Sequence, residues 1–324
     1  MNPFTRLLPA HTTVDEQEAD SLARPQQNWY SVTVHPPANT SQPASLTNTI
    51  RGLLELQTKW FSLRNASPTA AYEIRRTTPD TLRFQFALPT KRLERKLRTH
   101  LTTDIPDARF EPGRDGIQLT DGDSIGGAIL TTGRRDWYPL KTDHDQPPIN
   151  SLAAALHRHA MQDTRFVIQI LFQPVIGQPL RSWYRTRRTY QHIGYLRKQK
   201  ERLWGSREPT PRERQQADAI EQKAGSRRFH TSIRLLVIGA EDYTQSRVKE
   251  VAGAFNVFES QATGQYLNTA TIRSPLHTRF QRFAAAITDR RFGRWHHRFQ
   301  ATVPELAALA SLPNHTQENL NSNP

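Results

Sequence analysis

The triplet "HRH" at 157–159, downstream of Asp143, His144 and Asp145, gathers the side chains of this sequence best suited to ligating a metal ion. Its spacing argues against that use. The triplet lies in a helical pattern, where residues i and i+2 point in different directions and ligand pairs fall at i and i+3 or i+4. "WHHRF" at 295–299 reads as a surface or packing element, and "DGDSIGG" at 121–127 as a turn that matches no complete calcium loop. The absence of cysteine excludes disulfides and thiolate metal sites and fits a reducing cytosol. No glycine is followed by lysine, so the chain has no G-x-x-x-x-G-K-[ST] loop for nucleotide phosphates. The expectation is a protein with no cofactor, no metal and no catalytic centre of its own.

One enzymatic alternative rests on the same triplet. It is similar to the His-x-His of rolling-circle nucleases and relaxases, which place the pair on a strand around a hydrophobic residue and use a helical Tyr as nucleophile. Here Arg158 stands between His157 and His159, and Tyr195 is followed four residues on by Gln199 where many of those enzymes carry lysine. A rolling-circle-type endonuclease is therefore the third reading.

Positive charge is the strongest chemical signal. The chain holds 44 Lys and Arg against 30 Asp and Glu, a net charge of +14. Residues 181–228 hold fourteen of the basic residues against five acidic ones, so +9 of the excess sits in one segment. Arg181, Arg185, Arg187, Arg188, Arg197, Lys198, Lys200, Arg202 and Arg207 are interleaved there with Trp183, Tyr184, Tyr190, Tyr195 and Trp204. Arginine neutralises phosphates and aromatic rings stack on bases, which marks the segment as a surface for DNA, an anionic membrane or an acidic protein. A competing account makes Leu180, Trp183, Tyr190, Ile193, Leu196 and Leu203 a packing seam, with the arginines as its solvated side. That periodicity accounts for the aromatics but leaves the charge excess without a cause.

The elements around this segment follow from periodicity. Residues 1–27 lack any and read as a mobile arm. "WYSVTVHP" is a strand, "SLTNTIRGLLELQTKWF" a helix, and "AAYEIRRT" and "TLRFQFAL" are strands joined by "TPD". "TKRLERKLRTHL" is a basic helix, and either "ARFEP" or "GIQLTD" supplies a closing strand. The order over 28–121 is βαββαβ, a ferredoxin-like unit. It repeats over 122–275 with "AILTT" (extending to "WYPL"), "INSLAAALHRHAM", "RFVIQILFQPV", "FHTSIRLLVIG", "DYTQSRVKEVAGAFNVF" and "GQYLNTATI". Residues 178–227 interrupt the second unit as a helical hairpin: one long helix through "PLRSWYRTRRTYQHIGYLRKQKERLW", the breaker "GSREPTP", and a second helix ending at Gly225. The fold class expected is α+β: two tandem ferredoxin-like units with a basic hairpin in the second.

Residues 276–313 add a basic helical stretch and a short amphipathic helix, and 314–324 form a polar tail. In "VPELAALASLP", Leu306, Leu309 and Leu312 recur behind Glu305, which the helix dipole favours at the start, and Pro313 ends the turn. The opening residues carry no sustained apolar run, so no secretion signal is read. The runs "FVIQILF" and "IRLLVIGA" fall short of the roughly 20 residues a spanning helix needs.

Taken in order, "AYEIRRTTPDTLRFQF", "RRDWYPLKT", "INSLAAAL" before "FVIQILFQPV", the charged insertion and "PELAALASLP" resemble, over about residues 28–313, the region N-terminal to the motor in archaeal and Gram-positive conjugation ATPases. These are the large P-loop ATPases of type IV secretion. In that family an E-L-x-x-L-x-x-L-P step leads into the nucleotide-binding domain. The resemblance implies a non-catalytic component of a DNA-transfer machine, with a P-loop motor ATPase or secretion-channel protein as partner, a homo-oligomer as a further option, and a cytoplasmic location reaching the membrane face. The rival is a free-standing nucleic-acid-binding protein of a plasmid or virus.

Overall fold

The structure, a computed structural model, describes residues 8–35, 45–59, 64–78, 81–157, 161, 163–177, 179–202, 205–293 and 298–313. The chain opens with β1 (His11–Thr13) and α1 (Glu16–Ala23). A first set follows: β2 (Tyr30–His35), α2 (Thr47–Gly52), a two-residue ladder β3 (Thr58–Lys59) with β4 (Arg64–Asn65), β5 (Ala70–Thr78), β6 (Thr81–Leu88), α3 (Lys91–Asp104) and β7 (Arg109–Pro112). The second set is β8 (Ser124–Thr132), α4 (Ile149–His157), β9 (Arg165–Pro174), the insertion, β12 (Arg228–Ile238), α7 (Thr244–Gly253) and β13 (Leu267–Thr271). The insertion comprises α5 (Pro179–Arg197), β10 (Lys200–Arg202), β11 (Gly205–Arg207) and α6 (Pro211–Gly225). Then come α8 (His277–Thr288), β14 (Phe299–Thr302) and α9 (Val303–Leu309).

The protein is α+β. Among the described residues ten strands form one antiparallel sheet along the path β1-β8-β12-β9-β5-β6-β2-β7, with β13 also on β8 and β14 also on β12. The first set is ordered β5-β6-β2-β7 and the second β9-β12-β8-β13. Each therefore places its strands second, third, first, fourth. The two sets meet edge to edge, β5 against β9, with Glu73 opposite Gln169 and Tyr72 opposite Ile170.

Alternation along these strands explains the layers. Tyr72, Ile74, Phe84, Phe86, Ile168, Ile170 and Phe229 point to one face, which α2, α3, α4, α7 and α9 cover through Ile50, Leu93, Leu97, Leu152, Val251, Leu306 and others in one continuous core. On the opposite face Ile129, Val167, Leu236 and Ile238 pack under α1 and α8 through Leu22, Phe280, Phe283 and Ile287. The halves thus share both a sheet and a core.

Several expectations are corrected. The N-terminal segment is not a free arm from residue 8 onward: Asp15 and Glu18 form a reciprocal capping box at the start of α1, and Leu22 is buried. Residues 1–7 lie outside the described residues. The helix opening at Thr47 stops at Gly52, and Trp60 lies outside the described residues. Of the two candidates for the closing strand, the structure selects Arg109–Pro112, paired with β2. The strand from "AILTT" ends at Thr132 and does not run to Leu140. Instead Gln265 donates its side-chain amide to the carbonyls of Arg135 and Tyr138, satisfying this loop without a partner strand.

The helix expected to run through Trp204 stops at Arg197. Lys200 and Arg207 both bond Glu213 at the start of α6, which draws the intervening chain back as the β10–β11 ladder. The stretch 276–299 is likewise not one basic helix. α8 ends at Thr288, and Arg290, with φ of 49°, turns its side chain into the interior.

Candidate anionic-partner surface

The inner side of the hairpin is fixed to the body of the protein. Ile193 and Leu196 of α5, 3% and 5% exposed, pack with Ala217 and Ile220 of α6 and with Tyr138. Arg185 reaches Asp136 at 2.5 Å, and His192 shares a hydrogen bond of 2.6 Å with the Tyr138 hydroxyl. Burial, reinforced by the charges of Arg134 and Lys200, lowers the pKa of His192 from its ordinary value and so favours the neutral ring. At the base of the hairpin, Lys223 of α6 pairs with Glu305 of α9 at 2.7 Å.

The lateral cations are also partnered. Arg197 bridges Asp218 and Glu221, each at 2.6 Å. Lys200 and Arg207 converge on Glu213, whose carboxyl their hydrogen bonds hold far below the ordinary range. Arg214 lies 3.4 Å from Glu208.

The outer side is different. Leu180, Trp183, Tyr184, Tyr190 and Tyr195 are exposed, Leu180 by 82% and Trp183 by 59%. The packing-seam account therefore holds for Ile193 and Leu196 and fails for Leu180, Trp183 and Tyr190; Leu203 and Trp204 lie outside the described residues. The Arg187 guanidinium sits 5.3 Å from the centre of the Trp183 ring, Arg188 lies 5.1 Å from that of Tyr184, and Lys200 Nζ lies 4.6 Å from that of Tyr195. Among the described residues no carboxylate pairs with Arg187, Arg188 or Lys198. The side chains of Arg181 and Arg202 lie outside what is described. The seven candidate cations whose side chains are described thus divide into four paired ones that build the hairpin and three, Arg187, Arg188 and Lys198, that face outward without an acid among the described residues.

The closing helix is a core element. Thr302 and Glu305 form its capping box, and Leu306, Leu309 and Leu312 are buried as their spacing requires. Glu305 itself is buried, accepting from the backbone N–H groups of Leu140 and Thr302 as well as from Lys223. Pro313 is buried at the edge of the described chain. A cleft of about 290 Å³ runs beside this helix, lined by His144, Pro147, Pro304, Ala308 and Ser311 among others.

The histidine readings find no assembled centre. His157 is exposed at the end of α4, and His159 lies outside the described residues. His144 packs edge-on against Phe258 at 5.6 Å, and burial lowers its pKa. Among the described residues no group of three His, Cys, Asp or Glu could hold a metal ion.

Sequence reasoning missed a buried polar row across the sheet. Arg234, Gln169, Glu73 and Gln85 occupy facing positions on β12, β9, β5 and β6. Arg290 donates to both oxygens of Glu73, at 2.7 and 3.1 Å, and to Asp115 at 2.7 Å. Arg75 donates to Glu73 at 2.9 Å, and the Gln85 and Gln169 amides do so at 2.7 Å. Burial alone would raise Glu73, but the charges of Arg290 and Arg75 and the hydrogen bonds outweigh it and hold the carboxyl far below its usual range. Burial pushes Arg234 down to about 9. The readable signal was a polar residue set between two apolar neighbours: Glu73 between Tyr72 and Ile74, Gln169 between Ile168 and Ile170, Gln85 between Phe84 and Phe86, and Arg234 between Ile233 and Leu235.

No curated protein matches the chain. A model described as a domain of unknown function, DUF8128, matches residues 4–324, and the chain therefore belongs to the DUF8128 family.

Proposed function

We propose that the protein is a non-catalytic component of a conjugation or type IV secretion-like DNA-transfer machine. It is a docking body for a P-loop motor ATPase or a secretion-channel protein, placed at the cytoplasmic membrane face. In this reading each half is a ferredoxin-like unit. The observation that carries it is the repeated strand order of the two halves, joined through β5 and β9, with the charged hairpin inserted between the middle strands of the second. That arrangement agrees with the order of segments in which the chain resembles the pre-motor region of conjugation ATPases. The hairpin adds a cationic outer face held on a rigid base.

The test is affinity purification of the tagged full chain from cells that naturally carry it. A P-loop ATPase should co-purify, and the chain alone should hydrolyse no ATP. Recovery of the chain without such an ATPase, or ATP turnover by the chain itself, would overturn the reading.

A second reading, a free-standing nucleic-acid-binding protein, is favoured by the unpaired Arg187 and Arg188 beside exposed aromatic rings. Contact with six phosphates would give a log–log salt slope near about −5 on duplex DNA, and a flat response would remove this reading.

A further inference from the structure

Among the described residues nothing covers the outward face of α5. Leu180 stands at the start of the helix, with Trp183 and Tyr184 at i+3 and i+4, Arg187 and Arg188 at i+7 and i+8, and Tyr195 near the end. At 3.6 residues per turn all six fall on one side, opposite Ile193 and Leu196. The whole of α5, "PLRSWYRTRRTYQHIGYLR", contains five arginines and no carboxylate.

We propose that this face of α5 lies on an anionic phospholipid surface. Leu180 and Trp183 enter the boundary between headgroups and acyl chains, and Arg187 and Arg188 meet the lipid phosphates. The proposal rests on reading the hairpin as a surface for an anionic partner and names that partner.

Four observations favour lipid over nucleic acid. Leu180 has neither a ring to stack on a base nor a polar group to bond one, and its exposure beside Trp183 is relieved only where apolar surface leaves water. Among the described residues the face is one side of one helix with no second wall, whereas single strands are held in charged grooves. A helix that reads a duplex does so with polar groups on base edges, which Leu180 lacks and Trp183 offers only as a single indole N–H. Aromatic rings with arginines laid over them, as at Trp183 and Tyr184, suit an interface that is apolar below and anionic above. Such contact is peripheral, because no described helix is long and apolar enough to cross a membrane.

The experiment is co-sedimentation of the full chain with vesicles of phosphatidylcholine alone and of an equimolar phosphatidylcholine–phosphatidylglycerol mixture. Single-stranded and duplex oligonucleotides are titrated in parallel. Binding to the mixed vesicles but not to phosphatidylcholine is expected. The double variant Leu180→Ser/Trp183→Ser should weaken it by about tenfold or more, and Arg187→Glu/Arg188→Glu should remove it. All four sites are exposed, and unchanged melting temperatures show that both variants fold. Failure to bind the mixed vesicles, binding that neither variant affects, or equal binding to both vesicle types overturns the proposal. Oligonucleotide binding lost in the arginine variant, without vesicle binding, assigns the face to nucleic acid instead. Vesicle binding needs no motor ATPase, so its failure leaves the co-purification result standing, and the reverse also holds.

Discussion

Lys223 on α6 and Glu305 on α9 form a salt bridge of 2.7 Å in which both side chains are almost completely buried. It is the bond that ties the base of the inserted hairpin to the last described helix. Glu305 also caps that helix and accepts from Leu140, so one carboxylate joins three separate stretches of chain.

Removing the cation leaves the buried Glu305 carboxyl with only the backbone N–H donors of Leu140 and Thr302. Lys223→Met should therefore cost about 3–5 kcal/mol in urea unfolding. A loss under about 1 kcal/mol would mean that the backbone donors suffice.

The closing helix offers a second test. Leu309 is fully buried in the shared core, so Leu309→Ala should destabilise by about 2–5 kcal/mol. A helix acting only as a spacer would lose about 0.5 kcal/mol or less, within the range of surface substitutions.

Glu73 makes stability depend on acid. Its folded pKa lies far below the ordinary value of about 4.5, so the folded state gains stability above pH 4.5 and loses it progressively as pH falls below. Glu73→Gln should flatten the acid limb of a stability–pH curve. An unchanged slope below pH 4.5 would show that other carboxylates set it.

Gly116 tests the docking of the N-terminal segment. It has φ of +72°, and a Cβ there would fall 1.8 Å from the Ala23 carbonyl oxygen. Gly116→Ala should cost about 1–3 kcal/mol and speed proteolysis between residues 8 and 27. Wild-type protease resistance in the variant would show that this contact does not hold the segment.

The outer arginines should behave in the opposite way. Arg187→Glu/Arg188→Glu breaks no ion pair among the described residues, so stability should stay within about 0.5 kcal/mol of wild type. A larger loss would show that these residues are structural.

Alternating and helical patterns determined much by themselves. Leu82, Phe84, Phe86 and Leu88 marked β6, Leu93, Leu97 and Leu101 marked α3, and the split between 174 and 228 marked the insertion, because local burial periodicity is written residue by residue. The clustering of charge near 181–228 was equally plain. Only the tertiary structure decided which cations are spent on partners. Arg185 finds Asp136 and Lys223 finds Glu305 across long stretches of chain, while Arg187 and Arg188 on the same helix find no acid among the described residues. It also set Arg290 on Glu73 from 217 positions away. Coulomb pairing and burial depend on distance in space, and a sequence fixes that distance only once its strands have chosen their neighbours.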